Sequence, residues 1–406
     1  MRLLILTQYY PPEIGAPQNR LHELAVRLKS NGMDVEVLTA MPNYPKMEIF
    51  EAYKKGKIKE EVIDGIPVHR ARIFVSHSKG IIARLLNYFS FVFTSYFRGV
   101  KLRKFDFLMV ESPPLFLGYS AIRLSRKLNA KLIFNVSDLW PESAEKLEIV
   151  TNNRLLKLAY NLEAKCYKKS HIITGQTNGI VQDIINRFPS KKVYWLPNGV
   201  DLDYYNPEII QPVGFRQKNG FLDTDVLFFY GGILGHAQGL QIILQAAKQL
   251  ETYREAQFIL QGDGPEKQML EQLKKDLGLK NVHFLQAVSK TDMPGVLKEI
   301  DVALVPLRKL DLFQGAIPSK IFEALSMEIP LLLGVDGEAR THFIEKAKAG
   351  LFFEPENSLD LSNKVKYLLD NREEIIAMGK NGRNYVMQYF NRNKIANDFH
   401  ELLLNS

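Results

Sequence analysis

Cysteine is all but missing. Cys166 is the single one in 406 residues, which excludes an intrachain disulfide and any zinc site built on paired cysteines. That usage suits a reducing compartment. Long apolar runs are missing as well. After Met1 and Arg2 the first apolar stretch breaks at Gln8, short of the core that a secretory leader needs, and residues 3–6 read as a first buried strand. The most apolar later stretch, 81–97, is interrupted by Arg84 and Asn87, which disfavours a transmembrane span. No His-Glu-x-x-His cluster, short-period repeat or low-complexity tract occurs. The first strand–helix–strand unit lacks Gly-x-Gly-x-x-Gly, so the standard dinucleotide fingerprint is absent.

What is present is enough for full cores. Apolar residues make up 46% of the chain, and its length suggests two domains of about 200 residues each. Charge is uneven: residues 1–200 hold 30 Lys+Arg against 17 Asp+Glu, a net of +13, while residues 201–406 carry a net of −5. A basic first half suits a phosphorylated ligand, an anionic lipid or nucleic acid; no nucleic-acid motif accompanies it. Strands are expected at 3–6, 35–38, 66–73, 107–110, 131–136, 171–174 and 193–196, with a charged, exposed excursion at 46–62. Leu21, Leu24, Ala25 and Leu28 mark one face of the first helix. The segment 81–104 is aromatic and then basic, ending in Arg98, Lys101, Arg103 and Lys104; it reads either as an interfacial helix or as a buried one. After a linker at 199–208 the pattern restarts, with strands at 226–230, 258–260, 282–285, 302–305, 331–333 and 351–353. Loops that follow parallel strands carry Ser137, Asp138, Trp140 and Glu142 in the first half. In the second half they carry a Gly-rich stretch, 231–239, and the turn 261–265 around Gly262.

The most informative unit is 307–334, where a strand, an irregular loop with Gly315, Ala316 and Ile317, a helix opened by Pro318 and another strand follow one another. Lys320 and Glu323 lie three apart and share a helix face. Loop amides, the helix N-terminus and Lys320 favour an anion, and Glu323 could accept protons from sugar hydroxyls. On these residues alone an ordinary α/β crossover with a surface Lys–Glu pair is the favoured account. In the Gly-rich loop the polar side chains are His236 and Gln238. His236 reads as a phosphate donor or as an exposed loop residue, and Asp138 as a sugar-positioning carboxylate or a turn cap. Two Asp-x-Asp triplets, at 201–203 and 223–225, read as turns rather than metal ligands.

In their order and spacing these segments resemble a GT-B glycosyltransferase of family 4: PPEIGA, SPPLFLG, SDLWPES, LPNGVD, the Gly-rich loop, GDG and PSKIFEAL. The resemblance covers essentially the whole chain. It is nearest to the WbuB-type bacterial enzymes that build O-antigen or capsule repeat units. It implies an α/β fold of two Rossmann-like doubly wound domains facing a central cleft: 1–200 for the acceptor, 201–385 for a nucleotide-sugar, and a C-terminal helix, 386–406, packing back towards the first. It implies retaining, metal-independent transfer with no cofactor. Glu323 matches the second Glu of the family's E-x7-E motif and the ribose ligand; Gly315 stands where the first Glu belongs. Lys320 matches the cation near the donor diphosphate. Gly315, Ala316 and Ile317 match the loop around the donor sugar, and Gly15 and Ala16 the glycine loop near the diphosphate. Ser137 and Asp138 match a region in which many members carry a His.

The resulting expectation names Asp138 and Lys320 as catalytic. Gly15, Ala16, His236, Gln238, Gly262, Gly315, Ala316, Ile317, Ser319, Lys320 and Glu323 are expected to bind the donor. Ser137, Asp138 and Glu142 are expected to meet the sugar or acceptor, and no residue to bind a metal. The donor would be a UDP-sugar carrying an N-acetylated hexose or a deoxyhexose. The acceptor would be a polyprenyl-diphosphate-linked saccharide, reached from the cytoplasmic side by peripheral association with the plasma membrane, with no nucleic acid involved. The alternatives are a nucleotide-sugar epimerase or phosphorylase-like enzyme of the same fold, and a non-catalytic ligand-binding protein.

Overall fold

The structure is a computed structural model that describes residues 1–13, 15–78, 80–146 and 150–406; the side chains of Ala16, Ile81, Ile82, Arg84 and Leu312 also lie outside the description. The chain forms two compact units, one of Met1–Asn198 with Arg392–Ser406 and one of Gly199–Asn391.

Among the described residues of the first unit eight strands form one sheet: β1 (Arg2–Leu6), β2 (Asp34–Ala40), β3 (Glu60–Ile63), β4 (Ile66–Ala71), β5 (Phe107–Ser112), β6 (Lys131–Val136), β7 (Ile172–Gly175) and β8 (Val193–Trp195). Their order is β3-β4-β2-β1-β5-β6-β7-β8, parallel throughout except for the antiparallel edge pair of β3 with β4. β1 shows why its sequence is an unbroken apolar run. Leu3 and Ile5 enter one core cluster while Leu4 and Leu6 enter the cluster on the other face, so both sides of the strand are covered. Leu21, Leu24, Ala25 and Leu28 of the Ala16–Ser30 helix fill the first face. Ile395, Ala396, Phe399 and Leu403 of the Arg392–Leu404 helix join them. The excursion at 46–62 needs a correction. Glu60–Ile63 is an edge strand with the exposure pattern of alternating faces, and Tyr53 is buried under the Arg70 guanidinium. Its charged residues hid a strand because only one side of an edge strand is covered.

In the second unit β9 (Val226–Gly231), β10 (Ala256–Gln261), β11 (Val282–Leu285), β12 (Val302–Pro306), β13 (Leu331–Gly334) and β14 (Gly350–Phe352) form an all-parallel sheet ordered β11-β10-β9-β12-β13-β14. Chain order reverses between β9 and β12, and in the first unit between β1 and β5. In doubly wound sheets ligands bind beyond the strand ends at such reversals. Beyond β9 and β12 stand the Gly-rich loop and the loop holding Gly315. Beyond β1 and β5 stand the aromatic loop before Ala16 and the loop 113–116.

The Ile81–Gly99 helix is amphipathic and apolar on two sides. Phe91, Val92 and Ser95 are buried, while Leu86, Phe93 and Phe97 are exposed. Of the four cations at its end, Arg98 pairs with Glu60, and Arg103 bonds Glu36 (Nε–Oε1 2.6 Å) and Asp34 (2.7 Å). Lys101 and Lys104 remain exposed. Among the described residues no helix is long and apolar enough to cross a membrane.

Candidate active site

The second-unit site is assembled by backbone packing. Gly232 and Gly262 lie back to back: a Cβ on Gly262, whose φ is +153°, would stand 1.9 Å from the Gly232 carbonyl oxygen. The Gly232 and Leu234 amides donate to the Gln261 and Asp263 carbonyls, each at 2.9 Å. A side chain at Gly262 would therefore push the Gly-rich loop off its seat.

Lys320 reaches under this loop from the start of the Ser319–Ser326 helix. Pro318 is its N-cap, one position before the first turn in which the sequence suggested it, and supplies no side-chain cap. The Lys320 ammonium lies 3.7 Å from the Tyr230 ring centroid, and a Cβ on Gly232 would sit 3.2 Å from it. The residue as a whole is half-buried, and its ammonium lies between that ring and the Gly-rich loop. Burial pushes the pKa of this amine down from 10.5 to about 7, with Glu323, one turn on, acting in the opposite direction. The ring face and Glu323 are what stabilise a charge there. An anionic ligand would add the strong partner that this ammonium needs.

His236 and Gln238 are less available than their sequence suggests. Both belong to a single 3-10 turn, His236–Gln238. The His236 Nδ1 is 2.5 Å from Glu266 Oε1, and the Gln238 side chain folds back over Gly235. Arg308, just past β12, packs against Gly239, its amide donates to the Ala237 carbonyl at 3.0 Å, and its guanidinium faces Glu356 (Nε–Oε1 3.4 Å). Gly315, Ala316 and Ile317 sit in a loop pinned at its base, where the Glu338 amide donates to the Gln314 carbonyl at 2.7 Å and the Ala316 amide to that of Phe313 at 2.9 Å.

In the first unit, Gly15 caps the Ala16–Ser30 helix without a side-chain bond. Arg20, one turn in, donates to Glu111 (2.6 Å) and Ser137 (2.7 Å), and the Ser137 hydroxyl donates to the same carboxylate. Asn135 donates to Glu111 and accepts from Thr174 (2.6 Å). This network lies below the strand ends of β5, β6 and β7, with Glu111 and Arg20 buried. Ser137 is thus tied down from beneath. Asp138 Oδ1 accepts the Ser143 hydroxyl at 2.5 Å, and its carbonyl accepts the Trp140 amide. Glu142 pairs with Lys146 at 2.7 Å along its own short helix. The carboxylates of Asp201 and Asp225 accept backbone amides in turns.

Residues 18–204 match the family described as Glycosyltransferase Family 4, and residues 214–385 match Glycosyl transferases group 1. The chain belongs to the family 4, group 1 glycosyltransferases. It is 24% identical to the putative colanic acid biosynthesis glycosyl transferase WcaI of Escherichia coli over 80% of this chain and 81% of that protein. Its fold is similar to that of sucrose-phosphate synthase from Thermosynechococcus elongatus (TM-score 0.75, 15% identity, covering 100% of this chain and 99% of that one). It is also similar to that of HepE from Anabaena in complex with UDP and glucose (TM-score 0.70, 17% identity, covering 100% of each chain). The fold is GT-B.

Within each half of this family 4 glycosyltransferase, the structure collects part of what the sequence proposed. Lys320 and Glu323 share a helix face, with Lys320 under the Gly-rich loop that Gly262 supports. Ser137 and Asp138 adjoin each other beyond β6. Tyr230 and Arg308 were missed in the second unit, and Arg20, Glu111 and Asn135 in the first. Tyr230 had a legible signal, a polar aromatic ring one residue before the β9 terminus at the reversal point. Arg20 had none, because its partners Glu111 and Ser137 lie far along the chain.

Proposed function

We propose that this glycosyltransferase moves a sugar from a UDP-sugar to a polyprenyl-diphosphate-linked saccharide, with retention and without a metal, in surface-polysaccharide synthesis at the cytoplasmic face of the membrane. The observation that carries the reading is the Lys320 ammonium held between the Tyr230 ring and Gly232, with Glu323 one turn along the same helix. When the glycosidic bond to the diphosphate breaks, negative charge grows on the leaving oxygens. A preplaced cation and helix N-terminal amides lower that barrier more than they stabilise the bound donor. Glu323 accepts the ribose hydroxyls and fixes the nucleotide. Arg308, whose guanidinium is shared with Glu356 (Nε–Oε1 3.4 Å), is a second cation beside the Gly-rich loop. Gly315, Ala316, Ile317 and Ser319 line the sugar, and the N-terminus at Gly15 and Ala16 favours an anionic group. Asp138 orients the sugar or the acceptor hydroxyl, and Ser137 positions that loop through Arg20 and Glu111.

Support comes from HepE, a protein of the same fold held with UDP and glucose, and from WcaI, named as a putative colanic acid biosynthesis glycosyl transferase. The test is calorimetry of UDP against GDP, followed by transfer from N-acetylated hexose and deoxyhexose donors with and without EDTA. Tighter binding of UDP, an axial or equatorial linkage matching the donor, and a rate unchanged by EDTA are expected. Preference for GDP, inverted product or loss of rate in EDTA would each overturn the corresponding part.

A further inference from the structure

A cavity of about 860 Å³ opens in the first unit between the Ile81–Gly99, Leu117–Leu128 and Asn153–Lys169 helices. That size falls within the usual range for small-ligand sites. Its lining is apolar and aromatic. Phe89 packs on Phe116 with ring centroids 4.9 Å apart, and Phe116 meets Trp140 edge-on at 5.3 Å. Phe116 and Trp140 belong to the loops beyond β5 and β6, so the cavity runs up to the residues next to Ser137 and Asp138. Its mouth breaks the usual surface rule: Phe93, Phe97 and Leu158 line it and are 63%, 64% and 62% exposed. A contiguous exposed apolar patch of this kind marks a binding surface. Arg123 lines the cavity, and Arg154 and Lys157 are exposed residues next in sequence to the lining residues Leu155 and Leu158.

We propose that this cavity holds the isoprenoid chain of the acceptor lipid, an inference that rests on the lipid-linked acceptor reading above. One cavity takes one chain, whereas a diacyl lipid brings two. A methyl-branched chain suits a wide slot walled by aromatic rings. Arg123 in the lining supplies a cation for the phosphate at the chain's head, and the contiguity with Trp140 puts that head by the Asp138 loop. The glycosyl acceptor is then delivered by its anchor, and chain burial supplies binding energy remote from the reacting hydroxyl.

The cavity carries its own reporter, since Trp140 is one of only two tryptophans and Trp195→Phe removes the other. In that background, farnesyl phosphate below its micelle concentration should change Trp140 fluorescence saturably. It should bind at least about a hundredfold tighter than isopentenyl phosphate, because ten more carbons are buried. Phe93→Glu and Leu158→Glu, both at exposed positions, should weaken farnesyl phosphate at least tenfold with melting temperatures within a few degrees of the parent. Equal binding of the long and short chains, unaffected binding in both variants, or a diacyl phosphatidate that competes as well as farnesyl phosphate would each overturn the proposal. UDP calorimetry on the same samples separates the two ideas. Absent UDP binding contradicts the donor reading, whereas the fluorescence outcomes decide the cavity alone.

Discussion

Lys320→Met removes the buried ammonium and keeps the length of the side chain. In the wild type the amine titrates near 7 in the folded chain against 10.5 as its ordinary value. The folded state therefore binds fewer protons than the unfolded one between those pH values, and wild-type stability rises with pH through that window. At pH 6 the full depression applies and costs about 5 kcal/mol; by pH 9 about 2 kcal/mol remains. Methionine has no such dependence. The variant should be more stable than the wild type, and its advantage should shrink by about 2–3 kcal/mol between pH 6 and pH 9. For a unit of this size that is a change of about 5–10 °C in the difference between melting temperatures. Calorimetric scans of both full-length proteins at the two pH values measure it. The same variant should lose UDP affinity by about tenfold to a hundredfold, the worth of a charge-assisted bond. A melting difference independent of pH, or a variant less stable than wild type at both values, would refute the burial argument.

The other predictions concern single contacts. Glu323→Gln should weaken UDP by about tenfold or more in calorimetry, because a charged acceptor for the ribose hydroxyls becomes neutral. Arg308→Ala should raise the donor KM about tenfold, while His236→Ala, whose ring faces Glu266, should change it less than about threefold. Arg20→Ala leaves the buried Glu111 carboxylate without its cation and should cost about 3–5 kcal/mol in urea unfolding.

The doubly wound halves were legible because parallel strands buried on two faces write themselves as apolar runs, as in Leu3 to Leu6. The helix bearing Lys320 and Glu323 was legible because i,i+3 spacing needs only local geometry. The edge strand Glu60–Ile63 was not, since its charged residues are compatible with an exposed loop. Side-chain networks were the least readable. His236 stood out as a candidate until its partner Glu266 was known, and Tyr230 mattered only once Lys320 was found against its ring. Ser137 and Glu142 illustrate the same point in the first unit: a loop beyond a strand end indicates a site, but which of its groups are engaged internally depends on Arg20, Glu111 and Lys146.

The central claim is that Lys320 and Glu323 hold the diphosphate and ribose of a UDP-sugar for transfer to a lipid-linked acceptor. The direct measurement is UDP release by purified protein given a panel of UDP-sugars and an undecaprenyl-diphosphate-linked saccharide, beside the double variant Lys320→Met/Glu323→Gln. Acceptor-dependent release by the wild type, falling at least about a thousandfold in the double variant, is the predicted result. No release from any donor, or a double variant that turns over at the wild-type rate, would contradict it.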